Sequence, residues 1–359
     1  MGFGWCSLCG AATGGLSRRR FLRAMIHAGL AVGFLPKDAG SFSIYDESGD
    51  ATIGREADPE ILKRFGYYES PDLQNYVAEV GQRVVAASDT RFNFQFKVVD
   101  HPSINAMALP GGFVYVTRGI LAEMNDEAQL AGILGHEATH VNSRHGAKLM
   151  TKAMATQIAT LLGVGAAAAA GSGSAASAVA TISNHLTNYM LLGYGREYEL
   201  EADEVGLRYA RKAGYDPRRM VVFLRWMRRN DLFRGQRLYH GFDATHPDTA
   251  VRIAKADTMA DLLIAQPGPL ETRPNEYRAH LDGLRYGEAK DQRRIRTYLV
   301  QPGDTLASIA RNELNSEGRR YELASLNDLR DDAALEPGTR LKLLVSGSGP
   351  TMDLKLTPQ

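Results

Sequence analysis

Two histidines four residues apart, with a glutamate directly after the first, have a spacing that suits metal chemistry. They are His136, Glu137 and His140, in the stretch LAGILGHEATHVNSRHG. Four residues on an α-helix is about 400° of rotation, so both imidazoles leave one face a turn apart and can bind one ion. Glu137 lies about 100° further round, where it can take a proton from a water on that ion. The alternative is an ordinary helix that carries polar residues.

A catalytic zinc usually has three protein ligands and an open position for water, so one more ligand is required. The stretch EYELEAD offers two pairs of acids at helical spacing, Glu199 with Asp203 and Glu197 with Glu201. In the first pair, Glu199 can bind zinc while Asp203 hydrogen-bonds the outer nitrogen of a ligand histidine. Geometry alone permits either pair.

A third histidine follows the motif. His145 lies about 180° from His136 on the helical wheel, so it cannot reach the same ion from an unbroken helix. We expect a surface or packing role for His145.

The elements that must position these residues can be traced along the chain. Apolar residues at helical spacing predict an amphipathic helix over 71–87, and alternation predicts a strand over 92–98. Gly111-Gly112 turns the chain into a second strand over 113–117. Asn125-Asp126 can cap the helix that carries His136 and His140. A helix over the Glu199 region should end at Gly214.

The stretch from 153 to 195 contains no Lys, Arg, Asp or Glu, and its middle consists of Ala, Gly and Ser. A transmembrane hairpin is one interpretation, and peripheral contact of this segment with a membrane is another. Because the glycines interrupt any helix and bulky apolar residues are few, we favour a lid or helical hairpin beside the active site.

The N-terminus predicts export. Residues 18–23 are rich in arginine and precede an apolar run, 24–35, that is too short to cross a bilayer comfortably. Residues 17–23 resemble the twin-arginine motif, whose pathway carries folded proteins across the bacterial inner membrane. We therefore expect a signal peptide over 1–40 and a periplasmic protein. A short uncleaved anchor facing the periplasm, or a basic arm, is the alternative.

Charge and cysteine content exclude some classes of partner and site. The chain has 42 Lys and Arg against 41 Asp and Glu, a balance that favours no polyphosphate partner, so we exclude nucleic acid. Both cysteines, Cys6 and Cys9, precede the apolar run and would be lost with the leader.

The motifs together resemble the zinc metallopeptidase family of the periplasmic BepA-like proteases, HtpX and the CAAX prenyl endopeptidases. The resemblance covers residues 57–260 and includes HEATH at 136–140, ELEAD at 199–203, AGYDP at 213–217 and THPDTAVRI at 245–253. It implies one zinc ion per chain, held by His136, His140 and Glu199, with Asp203 supporting a ligand. It also implies an α+β fold: a mainly helical zincin-type domain with a small mixed sheet.

The same resemblance gives His246 two alternative roles. In the BepA-like branch, the matching histidine occupies the open zinc position and keeps the enzyme latent; otherwise His246 could stabilise the oxyanion as a donor. An ordinary structural histidine is the third interpretation. We also expect the strand at 113–117 to pair with an extended polypeptide substrate through its backbone.

The last part of the chain resembles a LysM domain, which recognises N-acetylglucosamine polymers such as peptidoglycan. YLVQPGDTLASIA and LEPGTRLKLL, within residues 297–345, carry this resemblance. A strand over 298–300, helices over 305–310 and 321–326, and a strand over 341–344 make a βααβ unit. Binding to peptidoglycan is one hypothesis, and a purely structural or protein-binding module is the other.

These observations predict five segments: a signal peptide over 1–40, a metallopeptidase domain over 41–265, a linker over 266–296, a LysM-like domain over 297–345 and a tail over 346–359. The predicted function is that of an exported endopeptidase, which uses zinc to hydrolyse peptide bonds in misfolded or stalled cell-envelope proteins. A latent chaperone or scaffold for envelope proteins is the alternative. A peptidoglycan amidase would be a third account. The sequence leaves the oligomeric state open.

Overall fold

The computed structural model describes residues 46–149, 151, 194–234 and 250–346. The chain divides into two compact units, one made of Met1–Ser43 with Thr151–Gly171 and the other of Ile44–Met150 with Ser172–Gln359. Apart from residue 151, every described residue belongs to the second unit.

Several predictions fall outside the described residues. They are the export signal, almost all of the uncharged segment, His246 and the C-terminal tail. Among the helices that are described, none is both long and apolar enough to cross a membrane.

A small mixed sheet forms in the N-terminal part of the second unit, as expected. Its strands are β1 (Gln95–Val99), β2 (Ala106–Leu109) and β3 (Phe113–Thr117). β3 lies in the middle, parallel to β1 and antiparallel to β2. The order β1-β3-β2 leaves β2 as one edge of this sheet.

The central position of β3 shows that the prediction of substrate pairing by this strand is wrong. A strand with a neighbour on each side has already committed its backbone donors and acceptors to the sheet. Tyr115 in β3 is fully buried, and its hydroxyl donates to Asp58 Oδ1 at 2.6 Å. A proline at position 115 would therefore test folding rather than substrate binding.

Two helices, α1 (Glu47–Phe65) and α2 (Pro71–Ala86), precede the sheet. The predicted apolar face of α2 is buried throughout; it comprises Leu73, Tyr76, Val77, Val80 and Val84. Ser70 caps α2 by accepting from the backbone N–H of Leu73, and a proline at the first position supports the helix start. The amphipathic pattern therefore predicted this helix to within one residue.

Five further helices surround and cross the interior. They are α3 (Arg118–Glu123), α4 (Glu127–Asn142), α5 (Arg196–Lys212), α6 (Arg218–Arg234) and α7 (Ala250–Ile264). Asp126 caps α4, as predicted, because its side chain accepts from the N–H of Gln129 at 2.9 Å. Gly214 follows α5 with a φ of 93°, the left-handed conformation that favours glycine after a helix.

The C-terminal part contains the βααβ arrangement that the sequence predicted. Its elements are α8 (Pro274–His280), β4 (Arg285–Tyr286), β5 (Arg293–Leu299), α9 (Leu306–Leu314), α10 (Arg320–Leu326) and β6 (Arg340–Ser346). β5 pairs antiparallel with β4 and β6. With the mixed sheet and the helices before it, this confirms an α+β fold.

The segment 266–296, expected to be a linker, is folded against the rest of the unit. Tyr277 of α8 is fully buried, and its hydroxyl donates to the carbonyl of Leu121 at 2.7 Å. Leu281 and Leu284, four and seven residues later, are buried in the same cluster. Glycine, proline and charge are typical of a connector, but the buried residues Tyr277, Leu281 and Leu284 follow helical spacing and attach this segment to the core.

The βααβ unit contributes to two apolar cores, its own small core and the main core that it shares with the preceding helices. Leu341 and Leu343 of β6 belong to its own small core, whereas Leu344 and Ile295 belong to the main core of the chain. Residues two apart on a strand share a face, so the sheet is covered on both sides.

Lys342 secures the contact with the preceding helices. Its side chain is fully buried, and Nζ donates to the carbonyls of Ala122 and Met124 at 2.7 Å each, where α3 ends. The last carbonyls of a helix lack intrahelical partners, so the amine supplies donors that α3 needs.

Candidate active site

Helix α4 holds both motif histidines in the interior. The residues His136 and His140 are 0% and 2% exposed, and their Nε2 atoms lie 3.1 Å apart. One helical turn separates them on one face, as their spacing predicted. Both nitrogens therefore point at a common position.

Glu199 reaches that position from α5. Its Oε2 lies 3.5 Å from His136 Nε2 and its Oε1 lies 3.5 Å from His140 Nε2, and its side chain is fully buried. In the described part of the chain, these three residues are the one group of His, Cys, Asp and Glu that could hold a metal ion.

The competing pair of acids faces elsewhere. Glu197 is exposed. The carboxylate of Glu201 accepts a hydrogen bond from Ser143 Oγ at 2.6 Å. Because one helical face carries Glu199 and Asp203 inward, the packing selects between two pairs that the spacing left open.

The donor set suits zinc. Two ligand atoms, each about 2.05 Å from a tetrahedral ion, lie about 3.3 Å from each other. The three observed separations are 3.1, 3.5 and 3.5 Å. Two imidazole nitrogens and a carboxylate oxygen are also a donor set that catalytic zinc sites use, with a position left for water.

Two glycines allow the helices to bring this group together. A Cβ at Gly135 of α4 would lie 2.7 Å from the carbonyl oxygen of Gly206, and a Cβ at Gly206 of α5 would lie 2.6 Å from the backbone nitrogen of His136. The backbones of α4 and α5 therefore touch one residue before the first histidine. Any side chain at this crossing would move Glu199 away from the two rings.

Glu137 shares the interior with the three possible ligands. Its side chain is fully buried next to His136 in sequence. Tyr194, also buried, has its ring stacked on that of His140 with centroids 3.9 Å apart. Burial, together with the charges of Glu137 and Glu199, raises the pKa of Tyr194 well above its ordinary value, so this phenol stays neutral.

Asp203 lies behind His136, as expected for a residue that supports a ligand. His136 Nδ1 is 3.0 Å from Asp203 Oδ1, which leaves Nε2 directed at the metal position. Burial acts to lower the pKa of His136, but hydrogen bonds with Asp203 and Glu199 outweigh it and raise that pKa to about 9. A cation bound at Nε2 would take the place of that proton.

Sequence reasoning missed Arg252, which joins the two acids. Its Nε and Nη2 donate to the two oxygens of Asp203, both at 2.7 Å, and its Nη1 lies 2.8 Å from Glu199 Oε2. Burial acts to raise the pKa of Asp203, yet hydrogen bonds from Arg252 and His136 hold it below its usual value. Arg252 belongs to the same THPDTAVRI motif as His246, and that motif is the signal that could have identified it.

His145 differs from the expectation in one respect. It is fully buried rather than at the surface, and its Nδ1 lies 2.9 Å from His140 Nδ1. The helical wheel assumed an unbroken helix, but α4 ends at Asn142 and Arg144 has a φ of 55°. The packing role that we expected for His145 is thus correct, and the surface role is wrong. Burial lowers the pKa of His145 to about 4, so its ring is neutral.

Comparisons with known proteins agree with this geometry. The profile of peptidase family M48 matches residues 71–260, more than half of the chain, and that of the LysM domain matches residues 298–343. The mitochondrial metalloendopeptidase OMA1 of Schizosaccharomyces pombe is 30% identical over 210 residues, which cover 57% of this chain and 59% of that protein.

Two further relatives resemble the same region. The β-barrel assembly-enhancing protease of Yersinia pestis is 31% identical over 157 residues, 43% of this chain and 32% of its own length. The human mitochondrial metalloendopeptidase OMA1 is 34% identical over 175 residues, 47% of this chain and 33% of its own length. The matches thus span between about a third and three fifths of these relatives. The family predicted from the motifs is confirmed: the chain belongs to peptidase family M48 and carries a LysM domain after its peptidase region.

Proposed function

We propose that this protein is a zinc-dependent endopeptidase whose metal is held by His136, His140 and Glu199. The observation that carries the proposal is the convergence of two Nε2 atoms and one carboxylate at mutual distances of 3.1 to 3.5 Å in a fully buried site. The names of the relatives, which describe a protease and metalloendopeptidases, support the same activity.

Zinc, when bound, would polarise the scissile carbonyl and lower the pKa of a water. Glu137, on the helix that supplies both histidines, then acts as the general base that accepts a proton from the attacking water and returns it to the leaving amine. Asp203 keeps His136 in the orientation that directs Nε2 to the ion.

The sheet edge provided by β2 is the element that we assign to substrate binding in place of β3. Thr117 N–H donates to the carbonyl of Asn105, so these two residues form a hydrogen-bonded pair between β3 and the start of β2. In an antiparallel ladder such pairs alternate with pairs that are not hydrogen-bonded, and Ala108 belongs to the second kind. The backbone N–H of Ala108 consequently points away from β3. Residues 108–110 also line a small cavity together with His140 and Tyr194, so an extended peptide on β2 would run beside the metal position.

Replacement of Ala108 by proline tests this assignment. The change removes an outward donor without removing a hydrogen bond to β3, so kcat/KM for peptides should fall while zinc content stays at the wild-type level. Ala108→Ser, which retains the N–H, is the matched control. Equal kcat/KM for the proline and serine variants would exclude pairing through this residue.

We further propose that the protein is exported, through the twin-arginine motif of residues 17–23, and cleaves misfolded or stalled proteins of the cell envelope. Support comes from the N-terminal pattern and from relatives named for β-barrel assembly. The LysM domain supports retention at peptidoglycan. Because Lys342 and Leu344 are buried against the preceding helices, binding to purified sacculi should be measured with the full chain. Chitin oligomers serve as competitor, and no sedimentation with sacculi would exclude this role.

The decisive experiment for the activity is Glu137→Gln, assayed on unfolded casein with zinc content measured in parallel. Cleavage should fall by about 10²–10⁴-fold, the usual contribution of a general base, while one zinc remains bound per chain. Glu197→Gln, an exposed glutamate on α5, is the control. Cleavage by Glu137→Gln at the wild-type rate would refute the proposed mechanism.

A wild-type protein that binds zinc but leaves casein intact would favour the latent scaffold instead. In a wild type that cleaves casein at a measurable rate, His246→Ala separates the two roles proposed for this histidine; in an inactive wild type, only a gain of cleavage would be informative. Cleavage should rise if His246 blocks the open zinc position and fall if it stabilises the oxyanion. An unchanged rate would exclude both roles.

A further inference from the structure

The ring of His140 is held from two sides by residues that the motif does not include. Tyr194 stacks on it, and His145 places Nδ1 2.9 Å from His140 Nδ1. Both neighbours are buried, so water is kept from this edge of the ring. His140 therefore has a defined outer partner, as His136 has in Asp203.

The direction of the hydrogen bond follows from the metal position. When Nε2 of His140 faces the ion, its remaining proton is on Nδ1, and that N–H must donate outward. Nδ1 of His145 lies in reach of this N–H, with 2.9 Å between the two nitrogens, and is then its acceptor. An imidazole that accepts at Nδ1 has its proton on Nε2, so this is the tautomer that His145 must adopt.

The surroundings of His145 suit this tautomer. Its Nε2 lies 3.3 Å from Glu201 Oε2, although the alignment is not that of a formed hydrogen bond. Glu201 is itself held by the hydroxyl of Ser143 at 2.6 Å. A carboxylate near Nε2 favours a proton on that nitrogen rather than on Nδ1.

The local backbone is built to place this ring. The chain turns at Arg144, which has a φ of 55° and whose Nε donates to the buried carboxylate of Asp50 in α1 at 2.5 Å. This turn brings His145 back beneath α4, and Tyr198 of α5 stacks on its other side with centroids 4.5 Å apart. The turn at Arg144, its ion pair with Asp50 of α1 and the stacking on Tyr198 of α5 together fix the orientation of His145.

We propose that His145 is a positioning residue of the metal site, whose Nδ1 accepts the Nδ1–H of His140 and so holds Nε2 of His140 toward the ion. Glu201 supports it from behind by favouring the required tautomer. The inference rests on the proposed function, because it needs an ion at His140. The two ligand histidines then have different supporting partners. His136 is oriented by the carboxylate of Asp203, which is paired with Arg252, and His140 is oriented by the imidazole of His145.

The test compares His145→Leu with His145→Asn in the full chain, with the zinc dissociation constant measured by competition against a fluorescent chelator. Loss of a residue that orients a ligand should weaken zinc binding by about 10–100-fold, so we expect that loss in His145→Leu. His145→Asn should bind nearly as tightly as wild type, because its Oδ1 can replace Nδ1 as the acceptor. Glu201→Gln should have a smaller effect, and Glu197→Gln none.

A second measurement does not depend on variants that fold. Long-range ¹H–¹⁵N spectra of the zinc-loaded wild type should show His140 protonated at Nδ1 and His145 protonated at Nε2. Protonation of His145 at Nδ1 would overturn the inference. So would equal losses in His145→Leu and His145→Asn, which would indicate packing alone, or wild-type affinity in His145→Leu.

Failure of the inference can be told apart from failure of the proposed function. A wild-type protein that binds no zinc, or a His140→Ala variant that binds it as tightly as wild type, would refute the metal site itself. Zinc binding that depends on His140 but not on His145 would refute the positioning role alone.

Discussion

Two buried cations of this chain are stabilised in opposite ways. Arg252, 1% exposed, lies between the carboxylates of Glu199 and Asp203. Lys342, fully buried where β6 meets the end of α3, has two backbone carbonyls as its hydrogen-bond acceptors. The first is a basic side chain held by carboxylates, and the second is an amine held by uncharged carbonyl groups.

The lack of a carboxylate partner among the described residues affects the pKa of Lys342. Burial lowers the pKa of Lys342 to about 7, against smaller opposing effects of Glu123, Asp126 and Asp328. A neutral amine has two N–H groups, which match its two acceptors. Arg252 thus belongs to the cluster of carboxylates at the metal position, whereas Lys342 makes a docking contact with carbonyls that a helix leaves unpaired.

Arg252→Met would break the first cluster and should have the largest effect. Glu199 and Asp203 would lose their common cation, and the loss of one partner from a buried ion pair costs about 3–5 kcal/mol. We expect that decrease in the free energy of unfolding, measured with urea in the presence of a chelator. Zinc should restore part of it, because a divalent cation neutralises the same carboxylates.

The control for Arg252→Met is Arg208→Met, which removes an exposed pair with Glu204 on α5. Its effect should lie in the range of about 0–1 kcal/mol that exposed pairs contribute. Equal effects of the two variants would contradict the comparison.

Lys342→Met tests the second cluster and should have a smaller effect. At pH 9.5 the wild-type amine is mostly neutral in the folded protein, and releasing the proton that the unfolded chain still binds below its ordinary pKa of 10.5 costs about 1.4 kcal/mol. The variant leaves the carbonyls of Ala122 and Met124 without this donor, and a buried unsatisfied group costs about 1–3 kcal/mol. Urea unfolding of both proteins at pH 9.5 measures the difference, and a variant more stable than wild type there by the full deprotonation cost of about 1.4 kcal/mol would mean that the two bonds contribute nothing.

The pH dependence of that difference sharpens the comparison further. Between the folded pKa of about 7 and the ordinary value of 10.5, the unfolded chain binds a proton at Lys342 that the folded chain releases. The stability of the wild type relative to Lys342→Met should therefore rise with pH, by at most about 1.4 kcal/mol per pH unit. Unfolding experiments from pH 7 to 9.5 measure this slope; a difference that stays constant would indicate an unshifted pKa.

Local pattern was enough to predict much of the fold. The helix face at Leu73, the cap at Asp126 and the strand at 113–117 each depend on neighbours in sequence, and all three are confirmed. Strand order depends on pairing between segments far apart. For that reason the central position of β3, and the packing of residues 266–296 against the main core, could not be inferred from pattern alone.

The sequence by itself determined that His136 and His140 share one face, because helical periodicity fixes residues four apart. Its motifs also identified the family and made Glu199 the expected third ligand. Only the tertiary structure decided which acids face inward, since that depends on the contact between Gly135 and Gly206. It also placed Arg252 and His145 behind the ligands, because a salt bridge across helices and a turn at Arg144 leave no periodic signal in the chain.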